Sequence, residues 1–135
     1  MLKAVKKKSK LINKNLKILG VTVLTSLNNK SLNQIGYTKE IKQLVLKQAD
    51  LIKKSGCDGI VCSAQEAMTV RKKYKNWLII TPGIRLPGDS SNDQKRIMTP
   101  LDAFKNKVSG IVMGRSLTKG DIKNNIKKLI DHLSK

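Results

Sequence analysis

Apolar positions along the chain fall into short, nearly continuous runs separated by longer amphipathic stretches. KILGVTVLT (17–25), GIVC (59–62), WLIIT (77–81) and GIVMG (110–114) are β-branched and show no polar alternation, the pattern of parallel strands buried on both faces. Between them, residues 38–54 place Ile41, Leu44, Val45, Ala49, Leu51 and Ile52 near helical spacing, with Thr38 as N-cap and Gly56 as stop. Ser63 is set to cap a helix over 64–74, with Glu66 as its capping-box partner. Thr99-Pro100 opens a short helix reaching 107, and residues 119–133 form an amphipathic one through Ile122, Ile126, Leu129, Ile130 and Leu133. Residues 26–36 read as a polar loop, and 1–15 as a basic leading helix whose lysines form a solvated face.

The predicted order is β-α four times within one α/β domain over residues 1–135, with right-handed crossovers. Four such units are half of an eight-unit barrel or a complete small open sheet. In either architecture chemistry collects at the carboxyl ends of the strands. Thr25, Ser63, the residues after Thr81, and Gly114-Arg115 all stand there.

A 39% hydrophobic content over 135 residues suits a single core. The formal charge of +19 raises nucleic acid as a partner. Against that, the lysines are spread along the whole chain, and one Phe, two Tyr and one Trp offer little surface for stacking on bases. A compositional drift toward Lys, Ile and Asn accounts for the charge more simply, so nucleic acid is not the expected partner. Cys57 and Cys62 match neither a redox pair nor a zinc-ligand spacing and read as small apolar residues in a reducing compartment. No run is long enough for a membrane span, and the Lys-rich start lacks a signal-peptide core, so the expected location is the cytoplasm.

The loop TPGIRLPGDSSNDQKRIMTP, residues 81–100, is the stretch with chemical promise. It leaves a strand, runs through Pro87-Gly88 and Asp89-Ser90-Ser91-Asn92-Asp93, and ends on a helix start, a layout suited to a lid that sets Arg85, Gln94 and Arg96 on mobile backbone. Of the 28 basic residues only Arg71, Arg85, Arg96 and Arg115 are arginines, and three of them fall in or beside this loop and the later Gly114-Arg115. Forked guanidiniums grip a phosphate bidentately, which lysine cannot do. The competing reading is a set of ordinary solvated arginines. His132 near the end of the last helix and Trp77 at a strand start have plain structural readings, as helix-terminal charge and core.

GVTVLTSL, GCDGIVCSAQEA, ITPGIRLPGDSSNDQKRIMTP and IVMGRSLTKG, in this order and spacing, resemble the carboxyl-terminal half of bacterial orotidine 5'-phosphate decarboxylases. The resemblance covers nearly the whole chain, beginning in the helix after the fourth barrel strand. It implies four βα units equivalent to the second half of a (β/α)8 TIM barrel, and conversion of orotidine 5'-monophosphate to UMP and carbon dioxide without metal or organic cofactor. It also implies that Arg85, Gly114 and Arg115 hold the phosphate, that Gln94 bridges phosphate and pyrimidine from the lid, and that Thr25 touches substrate. Arg96 stays outside that set.

The family's D-x-K-x-x-D motif has no counterpart here. Asp121-Ile122-Lys123 comes nearest, lacks the second acid and reads as helix-cap charge, so no catalytic acid or lysine is assigned. The implied partners are orotidine 5'-monophosphate or UMP, together with an amino-terminal half or a second copy to cover the open edges. A non-enzymatic phosphate- or nucleotide-binding βα domain, or an inactive truncated relic with a flavodoxin-like sheet, is the alternative.

Overall fold

The computed structural model describes residues 1–90 and 93–134. Helix α1 (Leu2–Ile12) leads into strand β1 (Leu19–Val21), followed by α2 (Asn29–Gln34), α3 (Ile41–Lys54), β2 (Gly59–Val61), α4 (Ala64–Lys73) and β3 (Leu78–Thr81). After the long loop come α5 (Pro100–Lys105), β4 (Gly110–Ile111), α6 (Arg115–Thr118) and α7 (Ile122–Leu133). All three strand pairs are parallel, in the order β1-β2-β3-β4.

That order decides between the two predicted architectures. A flavodoxin-like sheet reverses its winding and covers both faces, whereas strictly sequential right-handed crossovers put every helix on one side, as in a barrel. The register agrees with the second case. Gly20, Ile60 and Ile79 form one row across the sheet, and all three are buried. A Cβ on Gly20 would stand 2.5 Å from the Ile52 side chain, so glycine is what lets α3 lie flat on β1. Val45, Ala49 and Ile52 of α3, with Ala64, Ala67 and Val70 of α4, complete this helix-side core.

The alternate row, Val21, Val61, Ile80 and Gly110, faces the other way. Val21 is 62% exposed, and Leu24 and Val112 are exposed beyond the strand ends. The apolar runs thus have the composition of strands covered on two sides while this chain covers one. Helices α1 and α7 show the same imbalance at the two ends of the sheet. Val5, Leu11 and Ile12 are exposed on the first, and Ile122, Ile126, Ile130 and Leu133 on the second.

Several boundaries differ from expectation. Strand β1 stops at Val21 because Thr22 turns its hydroxyl onto the Val61 carbonyl, 2.8 Å away, and the backbone bends toward the loop. The polar stretch 26–36 contains α2, capped by the Asn28 side chain on Ser31 N. Helix α3 begins at Ile41 rather than after Thr38, since Asn29 Oδ1 accepts from Ile41 N at 2.9 Å and caps the helix from outside. Strands β2, β3 and β4 and helix α5 are each shorter than the runs that announced them, and α4 ends one residue early. The last predicted helix, 119–133, starts later, as α7 at Ile122, capped by Asp121 on Asn124 N, and the short α6 before it was not predicted.

At the amino ends of the strands two polar clamps fix the sheet. Arg71 donates to the carbonyls of Lys75, Trp77 and Lys107 and to Ser109 Oγ, at 2.7–3.0 Å, joining the end of α4 to the starts of β3 and β4. Lys6 of α1 is buried and pairs with Asp58, whose carboxylate also accepts from Ile18 N. The leading helix is therefore docked through one lysine, where a wholly solvated basic face was expected. Burial alone would raise the Asp58 carboxyl, but Lys6 and the Ile18 N–H outweigh it and hold the carboxyl below its ordinary value.

Two stability measurements follow. Arg71→Ala lowers unfolding free energy by about 2–3 kcal/mol in urea titration, and Arg71→Lys recovers less than half, because one ammonium cannot reach four acceptors in a fork. A carboxyl whose native pKa is depressed contributes stability that is present above its unfolded value near 3.9 and lost as pH falls through the native one. The stability difference between wild type and Asp58→Asn is accordingly full at pH 7 and shrinks by pH 3; an equal difference at both would show that the Lys6 pair is not its source.

Candidate functional site

The loop 82–99 is pinned at its base. Ile84 and Met98 form a parallel bridge, Arg85 N donates to Met98 O (3.1 Å) and Met98 N to Gly83 O (3.2 Å). Gly83 has φ 75°, and a Cβ there would meet Arg96 O at 3.0 Å and Thr25 Cγ2 at 3.2 Å, so no other residue fits this turn without strain. Lys95 N and Arg96 N both donate to Thr25 O, tying the far arm of the loop to the end of the first βα connection. The expectation that Arg85 and Arg96 ride on mobile backbone is thereby corrected: they are 7% and 5% exposed. Ser91 and Asn92, part of the predicted lid, lie outside the described residues.

The four arginines divide into two pairs. Arg71 is the clamp described above. Arg96 is a second clamp, its Nε on Leu27 O (2.9 Å) and its Nη2 on the carbonyls of Val23 and Leu24 (3.0 and 3.1 Å). Arg96 Nη1 lies 2.6 Å from Glu66 Oε2, a buried charge contact rather than an aligned hydrogen bond. Glu66 is thus turned away from its predicted capping box, and Ser63 caps α4 alone by accepting from Gln65 N. Burial raises the Glu66 carboxyl, and Arg96 offsets part of that rise.

Arg85 and Arg115 are the other pair, and they line one cavity of about 210 Å³ with Asp89, Ser116, Lys119 and Asn125. Arg85 donates to its neighbouring carbonyl on Ile84 (2.9 Å), its buried Nε has no partner, and among the described residues no carboxylate pairs with it. A buried guanidinium without a counter-ion is costly in a folded protein, and a cleft that holds one is a site for an anion. Gly114 immediately precedes Arg115, and open space surrounds its Cα on the side where a side chain would stand.

Thr25 and Gln94 line a second, largely apolar cavity of about 250 Å³ with Val21, Val61, Cys62 and Pro82, at the carboxyl end of the uncovered sheet face. The two cavities are joined by a polar chain. Thr25 Oγ1 contacts Gln94 Oε1, Gln94 Nε2 donates to Asp93 Oδ2 at 3.0 Å, and Arg115 Nη2 donates to Asp93 Oδ1. Four of the five predicted site residues, Arg85, Arg115, Thr25 and Gln94, therefore line two linked cavities at one end of the sheet, and Gly114 lines neither but adjoins Arg115. Asp93, Ser116 and Lys119 were not singled out from sequence. Asp93 was legible only as one of several loop acids, and the other two only as neighbours of Arg115.

Arg115 first, then the Gln94 amide, hold the Asp93 carboxyl below its ordinary value. Burial pushes the Cys62 thiol up to about 12, so it is neutral and a poor nucleophile. His132 Nε2 accepts from Leu101 N at 3.4 Å, and His132 and Cys62 line different cavities. Among the described residues no group of three metal-ligating side chains occurs, and no helix is long and apolar enough to cross a membrane.

Comparison with known proteins agrees with this picture. The model of the Orotidine 5'-phosphate decarboxylase / HUMPS family matches residues 1–128. An orotidine 5'-phosphate decarboxylase of Coxiella burnetii is 45% identical over 102 residues, 75% of this chain and 43% of that one. One from Wolbachia pipientis is 46% identical over 106 residues, covering 78% and 46%. The crystal structure of the orotidine 5'-phosphate decarboxylase from Lactobacillus acidophilus superposes with a TM-score of 0.66 at 30% identity, over 88% of this chain and 50% of that one. The chain spans about half the length of the curated relatives it matches.

The division of the arginines is testable by stability alone. Arg96→Ala leaves Glu66 buried and unpaired and lowers unfolding free energy by about 3 kcal/mol or more. Arg115→Ala, which breaks a solvent-exposed pair, leaves the unfolding midpoint unchanged. Equal losses in urea titration would erase the distinction.

Proposed function

The chain belongs to the orotidine 5'-phosphate decarboxylase / HUMPS family, and from that membership we propose that it supplies the phosphate-binding half of an enzyme converting orotidine 5'-monophosphate to UMP and carbon dioxide. The observation that carries this reading is the buried Arg85, with no carboxylate partner among the described residues, lining the same cavity as Arg115. In this arrangement the two guanidiniums take the phosphate beside Gly114. Gln94 and Thr25, at the mouth of the neighbouring apolar cavity, meet the nucleoside.

The reaction breaks the bond between the pyrimidine ring and its carboxylate. Carbon dioxide departs, the electron pair stays on the ring carbon, and a proton takes its place. By family resemblance the acids that repel the carboxylate and the lysine that delivers the proton belong to a D-x-K-x-x-D motif, which this sequence lacks. Four further βα units carrying that motif would cover the Val21 row, pair with the free edges of β1 and β4, and meet the exposed stripes of α1 and α7. A second copy of this chain fits that role less well, because it doubles a charge of +19 and brings no catalytic acid.

Phosphate lies away from the reacting carbon, so gripping it accelerates the reaction only by organising loop and site around the substrate. Mixing the chain with an amino-terminal half bearing D-x-K-x-x-D restores loss of orotidylate absorbance, and neither part alone does so. In that assembly Arg115→Ala lowers kcat/KM by at least about thirtyfold, or about 2 kcal/mol. Full activity in the mutant removes Arg115 from the phosphate site, and an inactive wild-type assembly leaves the non-enzymatic nucleotide-binding reading in its place.

A further inference from the structure

Three features of the anion cavity are not explained by the two arginines. Ser116 Oγ is buried with no hydrogen-bond partner and belongs to the cavity wall, as the unpaired Nε of Arg85 does. Lys119 lines the same cavity from the turn after α6. That turn is held in place from α7, where Asn125 Nδ2 donates to the carbonyls of Leu117 (3.2 Å) and Lys119 (2.8 Å). The turn is thus braced by a side chain that itself lines the cavity, which fixes where the exposed Lys119 leaves the backbone at the cavity rim.

We infer that Ser116 and Lys119 complete the anion site as a hydroxyl donor and a third cation, making it selective for a phosphate dianion. The inference rests on the phosphate reading above. Arg85, Arg115 and Lys119 stand against one carboxylate in the wall, Asp89, which leaves two positive charges. Two is the charge of a phosphate monoester above its second ionisation near pH 6. Without ligand, the Asp93 carboxylate occupies Arg115. An incoming phosphate displaces it, takes the arginine fork, accepts from the Ser116 hydroxyl and leaves a remaining oxygen to Lys119. A hydroxyl and a mobile ammonium suit this division, since the planar forks fix the anion and the lysine supplies charge without demanding geometry.

The test is calorimetric titration of the assembled protein with UMP and with uridine. At pH 7.5, Lys119→Gln weakens UMP by about tenfold and Ser116→Ala by about three- to tenfold, with uridine unaffected. Lys119→Arg keeps UMP within about threefold, and Lys123→Gln, a charge-matched control outside the cavity lining, changes it less than about twofold. Between pH 5.5 and 7.5 the gain in UMP affinity is smaller in Lys119→Gln than in wild type, because the second phosphate charge has lost its partner. If Arg115→Ala loses UMP while Ser116→Ala and Lys119→Gln bind as wild type, the inference is overturned and the phosphate reading stands. If wild type binds UMP no better than uridine, both fall.

Discussion

The arrangement of the site depends on one buried guanidinium, Arg96, that lines neither of the two linked cavities. Arg96 reaches back from the far arm of the long loop to three carbonyls after β1 and to Glu66 on α4. Those carbonyls have left the sheet and have no strand partner; Leu24 O also accepts from Leu27 N, and the charged donor gathers it with the carbonyls of buried Val23 and of Leu27. Through this contact the loop is held against the ends of β1 and β2. Arg85, on the opposite arm, is thereby presented to its cavity with its Nε still unclaimed.

Arginine does two jobs here with one chemical property. Arg71 and Arg96 spend their donors on carbonyls at opposite ends of the sheet, where fork geometry gathers backbone groups from different segments. Arg85 and Arg115 keep donors for a cavity. Lysine, the chain's usual cation, is buried once among the described residues, at Lys6 on Asp58. The rest of the +19 is spread over exposed surface and sets the long-range field more than any particular contact.

Much of this was legible in the residues and some was not. Continuous β-branched runs located all four strands, because parallel strands must be apolar on both faces, but they overstated the lengths: a run records burial, and Thr22, Val23, Thr25 and Cys62 are buried outside any ladder. Helix α2 was missed because NKSLNQ is polar and offers one buried residue, Leu32. The start of α3 was misplaced because its cap, Asn29, comes from 12 residues upstream, beyond the reach of any local signal. Clustering of rare arginines pointed to the correct loop, yet gave no means of separating Arg96 from Arg85. That separation depends on which one meets Glu66 in three dimensions.

Sequential strand order also has a bearing on how the chain comes to be folded. Each strand pairs only with the next one made: Leu19 with Gly59, Gly59 with Leu78, Ile80 with Gly110. Synthesis from the ribosome can therefore lay down the sheet one rung at a time, with no early strand waiting for the last. The growing rim stays open only until its neighbour arrives, whereas the outer edge of β1 stays open throughout and is the edge a chaperone would have to shield longest.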